Sequence, residues 1–166
     1  ALPGRRVARE ATHVIIDVGA SELACRGDIC LIYAKDTAKE RNLVDYDALW
    51  PKRDGKKVYY ASLKELVEKI RENVRTGDVV IAVHSIEHTD CPFDVLRAIA
   101  EAGAGEVHVY VPNAVVNDAD WKDETHVYSF TAPALGHLLR RAMPGYEVHV
   151  EPVFGGRDLH GYAKRE

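Results

Sequence analysis

Short apolar runs alternate with amphipathic segments along the whole chain. Continuous runs rich in β-branched and aromatic residues, which are typical of buried strands, occur five times. These are THVIIDVGA, ICLIYA, VYYA, DVVIAVHSI and EVHVYVPN. Two later runs, YEVHVEPVF and LHGYAKR, have a period of two and flank a Gly-Gly loop, so they predict a β-hairpin.

Three segments between these runs have helical spacing and a start signal. Ser62 precedes LKELVEKIRENV, Pro92 opens a helix that contains FDVLRAIAEAG, and Thr131 precedes APALGHLLRRA. A weaker helix is expected near residues 37–49, and residues 1–11 predict an N-terminal arm or short helix. The segment SELACRGD is too short for a full crossover helix.

Strands that alternate with helices predict an α/β fold, with a mainly parallel central sheet and helices on both faces. The terminal hairpin adds an antiparallel strand. No repeat or linker divides the chain, so residues 1–166 are expected to form one domain. Ligands of such sheets bind outside the carboxyl ends of the strands. The residues there are Gly19–Glu22, Asp36, Ser62, His84–His88 and Asn113 onward.

Composition narrows the class of protein. The chain is 46% hydrophobic and 29% charged, as expected for a globular domain. A formal charge of -4 argues against nucleic acid as a partner. No apolar run approaches the roughly 18 residues of a membrane span, and no signal peptide opens the sequence, so a membrane location is not expected. The absence of glutamine and the single methionine suit a protein from a hot environment.

The three cysteines form an odd count without a C-x-x-C pair. This pattern predicts reduced cytosolic thiols and therefore a cytoplasmic protein. A bridge between Cys25 and Cys30 is the less favoured alternative.

Several motifs resemble the class I S-adenosylmethionine-dependent methyltransferases, especially their small-molecule branch. VIIDVGAS is similar to the acidic-x-Gly-x-Gly motif of strand one. The stretch from Asp78 to Asn113 is similar to the pattern of strands four and five, with EH after one strand and PN after the other. THVYSFTAPALGHLLRRA is similar to the His-aromatic-Ser/Thr entry to the next helix. The family's glycines near Ser21 and Leu23 are absent.

The resemblance implies a Rossmann-like methyltransferase fold and S-adenosylmethionine as cofactor. The cofactor-binding residues it implies are Asp17, Gly19, Ala20, Ser21, Asp36, Ser62 and His84. Each has an alternative role without a ligand. Gly19 could serve a turn and Asp17 could accept hydrogen bonds from loop amides, while Asp36 could be a solvated loop residue and Ser62 a helix cap.

The stretch HSIEH also matches the H-x-x-E-H pattern of one group of zinc peptidases. Zinc binding needs both histidines on one helix face, whereas here the helix signals begin only at Asp90. A metal site is therefore not expected. His84, His88 and His126 are candidate bases that border the site, since histidine titrates near neutral pH. The alternative for His84 and Glu87 is to fix the turn after the strand.

Two functions remain open on the sequence alone. The first is a methyltransferase with an unknown, small-molecule acceptor. The second is a methyltransferase-like domain without catalysis, which serves as a binding or assembly module. A homodimer or a partner protein could supply the substrate lid, for which the sequence has no insertion.

Overall fold

The computed structural model describes residues 14–36, 44–116 and 127–166. These residues form seven strands and four α-helices. The strands are β1 (Ile15–Ala20), β2 (Ile29–Tyr33), β3 (Lys56–Tyr60), β4 (Val79–Val83), β5 (Glu106–Pro112), β6 (Tyr146–Val153) and β7 (Asp158–Arg165). The helices are α1 (Val44–Leu49), α2 (Leu63–Asn73), α3 (Pro92–Glu101) and α4 (Ala132–Ala142).

All seven strands belong to one sheet with the order β3-β2-β1-β4-β5-β7-β6. Strands β1 to β5 pair in parallel, and β7 lies antiparallel between β5 and β6. The predicted α/β architecture with its C-terminal antiparallel hairpin is confirmed. The hairpin inserts its second strand into the sheet, so the final strand of the chain is not at an edge.

Alternate residues of each strand pack on opposite faces of the sheet. Ile16 and Val18 lie in the large core beneath α2, α3 and α4. Ile15 faces the other way, into a smaller core that α1 closes with Tyr46 and Leu49. We refer to these as the first and second faces of the sheet. Helices cover both, and among the described residues the second face has only α1 over it.

The predicted helix caps are present. The Ser62 hydroxyl accepts a hydrogen bond from the Glu65 amide at 3.1 Å, and the Thr131 hydroxyl accepts one from the Ala134 amide at 3.3 Å. Pro92 occupies the first turn of α3. Backbone amides there have no hydrogen-bond partner within the helix, so the lack of an amide proton in proline costs nothing.

Strand β4 ends earlier than the sequence predicts. The apolar run DVVIAVHSI predicts a strand through Ile86, but the extended backbone stops at Val83. His84 then adopts a φ of 50°, and Ile86–His88 form one turn of 3-10 helix. The apolar Ile86 is buried as a core residue of this turn, which explains why the hydrophobic pattern continued past the strand.

The connection from β1 to β2 contains no helix, as predicted. We call residues 21–28 the return loop, because they lead from the carboxyl end of β1 directly to the start of β2. The Ile15 amide donates to the Asp28 carboxylate at 2.9 Å, which fixes the end of the return loop beside the start of β1.

The expectation of three reduced thiols is wrong for two of them. Cys25 in the return loop and Cys30 in β2 form a disulfide, and Cys91 is the free cysteine. The return loop runs back along β2, and this path brings together two cysteines whose spacing alone did not favour a bridge.

The predicted N-terminal arm at residues 1–11 lies outside the described residues. In the part of the chain that the structure describes, every helix is too short or too polar to cross a bilayer.

Gly19, at the end of β1, lies against Ser85 in the chain after β4. Its φ is +76°, and a Cβ added there would lie 2.3 Å from the Cβ of Ser85. The Ser85 hydroxyl donates to the Val18 carbonyl at 2.9 Å. The absence of a side chain at Gly19 therefore lets Ser85 pack against β1.

Replacing Gly19 by alanine tests this contact. We expect a loss of about 2–4 kcal/mol in the free energy of unfolding, from the left-handed φ and from overpacking against Ser85. Gly155→Ala is the matched control, because Gly155 has a φ of +69° and a Cβ added there would meet no atom within 4 Å. It should lose only about 1–2 kcal/mol. The measurement is chemical denaturation of both variants.

In a Ser85→Gly background, Gly19→Ala should lose only about as much as Gly155→Ala does in the wild type, because the side chain that it would overpack is absent. Equal losses for Gly19→Ala and Gly155→Ala would show that Ser85 exerts no steric constraint on β1.

Candidate functional site at the carboxyl edge of the sheet

The order β2-β1-β4 places the carboxyl ends of three neighbouring strands at one edge of the sheet. Gly19 lies at the end of β1, Asp36 three residues beyond β2, and His84 directly after β4. The sequence prediction that these positions share one edge follows from the confirmed topology. What surrounds each side chain is decided by the packing.

His84 lies in a cluster of polar side chains that joins three parts of the chain. Tyr46 of α1 donates its hydroxyl proton to the Asp158 carboxylate at 2.6 Å, and Asp158 begins β7. The Nε2 atom of His84 lies 3.1 Å from both the Tyr46 hydroxyl and the same carboxylate oxygen. On the other side of the ring, Nδ1 lies 3.5 Å from a carboxylate oxygen of Glu87. We call these four residues the His84 cluster.

The charges of the cluster follow from its contacts. Burial by itself would raise the pKa of Asp158, but hydrogen bonds from His84 and Tyr46 and the nearby Arg157 outweigh it and lower that pKa. Burial and the neighbouring Asp158 raise the pKa of Tyr46, so the phenol stays protonated. Because the carboxylate is ionised, the Nε2 atom of His84 must carry a proton to approach it.

This geometry favours the structural alternative for His84. Both ring nitrogens face carboxylate oxygens of the protein, and the side chain is only 11% exposed. A general base needs a nitrogen within hydrogen-bond reach of the substrate. A residue with φ of 50° also needs surroundings that hold it there, and the cluster supplies them.

The H-x-x-E-H stretch does not form a helix face. His84 precedes the 3-10 turn Ile86–His88, and Glu87 points inward with no exposed surface. Among the described residues, no group of three or more histidine, cysteine, aspartate or glutamate side chains is arranged to hold a metal ion. His126 lies outside the described residues.

Asp17 is buried beneath the return loop. Its carboxylate accepts a hydrogen bond from the Arg26 amide at 3.0 Å, which is the loop-amide role given as the alternative. Burial raises the pKa of Asp17 to about 7, although the hydrogen bond and the charge of Arg26 act in the opposite direction. Asp17 is 2% exposed, so a ligand could reach it only after the return loop moves.

Asp36 is the most accessible of the predicted acidic residues. It lies in a turn whose amide donates to the Tyr33 carbonyl at 3.0 Å, and it is partly exposed. Tyr33 and Tyr60 end the neighbouring strands β2 and β3, with ring centroids 5.7 Å apart. Burial, followed by the negative charge of Asp36, raises the pKa of Tyr60 well above its ordinary value, so this phenol is neutral.

The other predicted residues have structural roles. Ala20 is buried, and Ser21 forms a bridge with Ala24 that turns the chain at once into the return loop. Ser62 caps α2 and is exposed. His88 ends the 3-10 turn beside the candidate site.

Sequence reasoning missed three residues of the site. Tyr46 and Asp158 complete the His84 cluster, and Arg157 lies 3.8 Å from the Asp158 carboxylate. Asp158 follows the Gly-Gly loop, and Tyr46 lies in a weak helix, so neither position carries a local signal. The available signal was topological, since the start of an antiparallel strand lies at the same edge as the ends of its parallel neighbours.

Two histidines outside the predicted site meet between β5 and β7. His108 of β5 and His160 of β7 lie with Nδ1 and Nε2 2.9 Å apart and with stacked rings. Burial, with a further contribution from His108, lowers the pKa of His160 to about 3. Burial also lowers the pKa of His108 despite the nearby Glu106. Both rings are neutral at pH 7, so one donates to the other within the core.

Comparison with solved structures identifies similar folds. A SAM-dependent methyltransferase from Archaeoglobus fulgidus matches with a TM-score of 0.63 and 14% identity, over 98% of this chain and 92% of that one. The 1,6-didemethyltoxoflavin-N1-methyltransferase of Burkholderia thailandensis, solved with S-adenosylhomocysteine, matches with a TM-score of 0.53 and 16% identity, over 98% and 76%. The small RNA methyltransferase HEN1 matches with a TM-score of 0.62 and 11% identity, over 98% and 24%.

No protein-family model and no curated protein matches the sequence. The structural likeness therefore shows the fold, which is that of the class I S-adenosylmethionine-dependent methyltransferases. The resemblance inferred from the strand motifs is confirmed at this level.

The contacts of the His84 cluster predict that loss of the buried Tyr46 hydroxyl lowers the stability of the fold substantially. Tyr46→Phe should lower the free energy of unfolding by about 1.5–3 kcal/mol, because it removes a hydrogen bond to a buried charged group. The phenyl ring can keep its edge contacts with Tyr110 and Phe154. Tyr59→Phe removes an exposed hydroxyl that donates to Glu22 at 3.0 Å, and it should change stability by less than about 0.5 kcal/mol. Similar losses in the two variants would contradict the cluster.

The raised pKa of Asp17 predicts a dependence of stability on pH. The folded-state pKa of about 7 exceeds the ordinary value of 3.8, so between these pH values the folded protein holds a proton that the unfolded chain has lost. The contribution of Asp17 to the free energy of unfolding should therefore fall as pH rises from 4 to 7. Relative to Asp17→Asn, the wild type should lose up to about 4 kcal/mol across this window.

Denaturant unfolding at several pH values measures this difference, with Asp54→Asn as the control at an exposed loop position. The difference between wild type and the control should stay constant with pH. A constant difference for Asp17→Asn as well would mean that Asp17 is ionised throughout.

Proposed function

We propose that the protein binds S-adenosylmethionine at the carboxyl ends of β1, β2 and β4 and transfers its methyl group to a small molecule. The observation that carries the proposal is the strand order, which brings Gly19, Asp36 and His84 to one edge of a methyltransferase-type sheet. In open sheets of this kind, the ligand crevice lies outside the carboxyl ends of the strands. The solved relatives in fold include methyltransferases of small molecules.

We assign Asp36 as the residue that binds the ribose of the cofactor. A carboxylate after the second strand can accept hydrogen bonds from both ribose hydroxyls, as in dinucleotide-binding folds. Asp36 is partly exposed and lies next to the Tyr33 and Tyr60 rings, so a nucleoside could reach it without displacing core residues. Gly19, Ala20 and Ser21 would border the methionine portion, and Ser62 the adenine.

Methyl transfer from a sulfonium is an in-line displacement in which alignment of donor and acceptor contributes most. Within this proposal His84 holds the end of β4 in place through Asp158 and Glu87. His88 and His126 are the candidates for a base, which is needed only if the acceptor carries a proton. Asp17 could meet the cofactor's ammonium only if the return loop opens.

A binding or assembly module without catalysis is the second candidate, and specific contacts favour it. The return loop provides no helix N-terminus to face the carboxylate of the cofactor. Ser85 fills the space beside Gly19, and the Asp17 carboxylate already accepts a hydrogen bond from the Arg26 amide. Under this second function, a second copy or a partner protein would contact the same edge of the sheet.

Asp36→Ala tests the cofactor site. Ligand at a hundred times its dissociation constant should stabilise the folded wild type by about 2.7 kcal/mol, measured with S-adenosylmethionine and S-adenosylhomocysteine. Loss of hydrogen bonds to a charged group costs about 1.5–3 kcal/mol, so Asp36→Ala should bind about 10- to 100-fold more weakly. Asp54→Ala, an exposed loop variant at the opposite edge of the sheet, should bind like the wild type.

The two functions differ in this experiment. Stabilisation that Asp36→Ala alone removes supports the cofactor site and the ribose role together. Absence of any stabilisation at millimolar ligand would rule against the methyltransferase and leave the binding module.

A further inference from the structure

The return loop is fastened to the sheet by one covalent bond. Cys25 lies in the middle of the loop, and its disulfide partner Cys30 lies within β2. Cys30 has no exposed surface and Cys25 is 6% exposed. The bond lies in a small apolar cluster with Ala20 and Ile32, apart from the two larger cores. The loop itself contains no helix, so the disulfide is a principal constraint on its path.

The residues around Cys25 connect the return loop to α1. The carbonyl oxygen of Cys25 accepts a hydrogen bond from the Arg53 amide at 2.8 Å. The Arg26 side chain is only 3% exposed; it donates to the Asp47 carboxylate at 2.6 Å and to the Trp50 carbonyl at 2.9 Å. Three contacts from two adjacent loop residues therefore hold α1 and the chain that follows it.

Helix α1 in turn carries Tyr46, whose hydroxyl donates to Asp158 in the His84 cluster. A helix of six residues is too short to be stable by itself, so its position depends on the groups that hold it. Continuous contacts thus link Cys25, Arg26, α1 and the carboxyl edge of the sheet.

We propose that the Cys25–Cys30 pair is a redox switch that controls the position of α1 and, through Tyr46, the candidate site. In the oxidised state the return loop lies on Asp17 and anchors α1. In the reduced state the loop is released, the contacts of Arg26 weaken, and α1 detaches first. The effect on α1 is independent of the proposed function, whereas any effect on cofactor binding rests on it.

The chemistry is thiol–disulfide exchange with a dithiol reductant. One thiolate of the reductant attacks the Cys25 sulfur, which is the more exposed of the two, and breaks the S–S bond to release the Cys30 thiolate. The second thiol of the reductant then displaces Cys25 and closes the reductant's own disulfide. Two electrons and two protons pass to the protein, which gains two thiols.

A purely stabilising disulfide would behave differently. In that case reduction would lower the stability of the whole domain, and all regions would loosen together. A switch requires a local response in α1 under conditions where the rest of the sheet and its helices remain folded.

Hydrogen exchange on the full chain separates these cases. The Trp50 amide reports on α1, because it donates to the Tyr46 carbonyl at 2.7 Å. The Met143 amide reports on α4, where it donates to the Leu139 carbonyl at 2.9 Å. Both are followed in oxidised protein and in protein reduced with dithiothreitol, with thiol labelling to count the cysteines released.

We expect reduction to speed exchange of the Trp50 amide at least tenfold, to leave the Met143 amide within twofold, and to be reversed on reoxidation. Cys25→Ser/Cys30→Ser should match the reduced wild type, and Cys91→Ser should respond like the wild type. If the double variant does not fold, reduced wild type still decides the matter. The proposal is overturned by an unchanged Trp50 amide, by equal acceleration of both amides, or by a disulfide that dithiothreitol does not reduce in the folded protein.

Titration with S-adenosylhomocysteine in both redox states adds the functional arm. Binding that weakens at least tenfold on reduction, or strengthens as much, would show that the switch reaches the site, and equal binding in the two states would overturn that link. Failure of the protein to bind in both redox states would contradict the proposed function alone, because the exchange result at Trp50 does not depend on any ligand.

Discussion

A sheet can bury both of its faces only where the chain supplies something to cover them. Here the first face carries three helices, while the described cover of the second face is the return loop and the short helix α1. Buried Tyr46, Leu49 and Trp50 side chains hold this described cover, and polar and covalent contacts add to them. The Arg26 side chain donates to the Trp50 carbonyl directly after α1, and the disulfide attaches the return loop to β2. The Tyr46 hydroxyl connects α1 to the start of β7 through Asp158.

The contact between Tyr46 and Asp158 lies at the edge where a ligand would bind. Buried polar groups cost free energy unless they are paired, so each such group must be satisfied for the second face to remain closed. Asp17 is paired with the Arg26 amide, and Asp158 is paired with Tyr46 and His84. The same groups that would be candidates for binding and catalysis therefore have structural roles in the closed molecule.

The folding pattern was accessible from the sequence because periodicity and capping act locally. Ser62 and Thr131 mark helix starts through bonds to amides three residues away, and the β-branched runs mark strands. The sequence predicted that β4 extends too far, because Ile86 is apolar as a buried residue of the 3-10 turn and not as part of a strand. Among the site residues, Asp36 and His84 were found because they follow strands, whereas Tyr46 and Asp158 lie 112 positions apart and share no pattern.

By itself the sequence determined the alternation of strands and helices, the antiparallel hairpin and the absence of a helix between the first two strands. These features depend on residue type and spacing within short windows. Only the tertiary structure decided that Cys25 bonds to Cys30, that Ser85 fills the space beside Gly19 and that His84 is enclosed by carboxylates. Each of these depends on which distant segments the sheet brings side by side, and no local free-energy preference of the chain encodes that proximity.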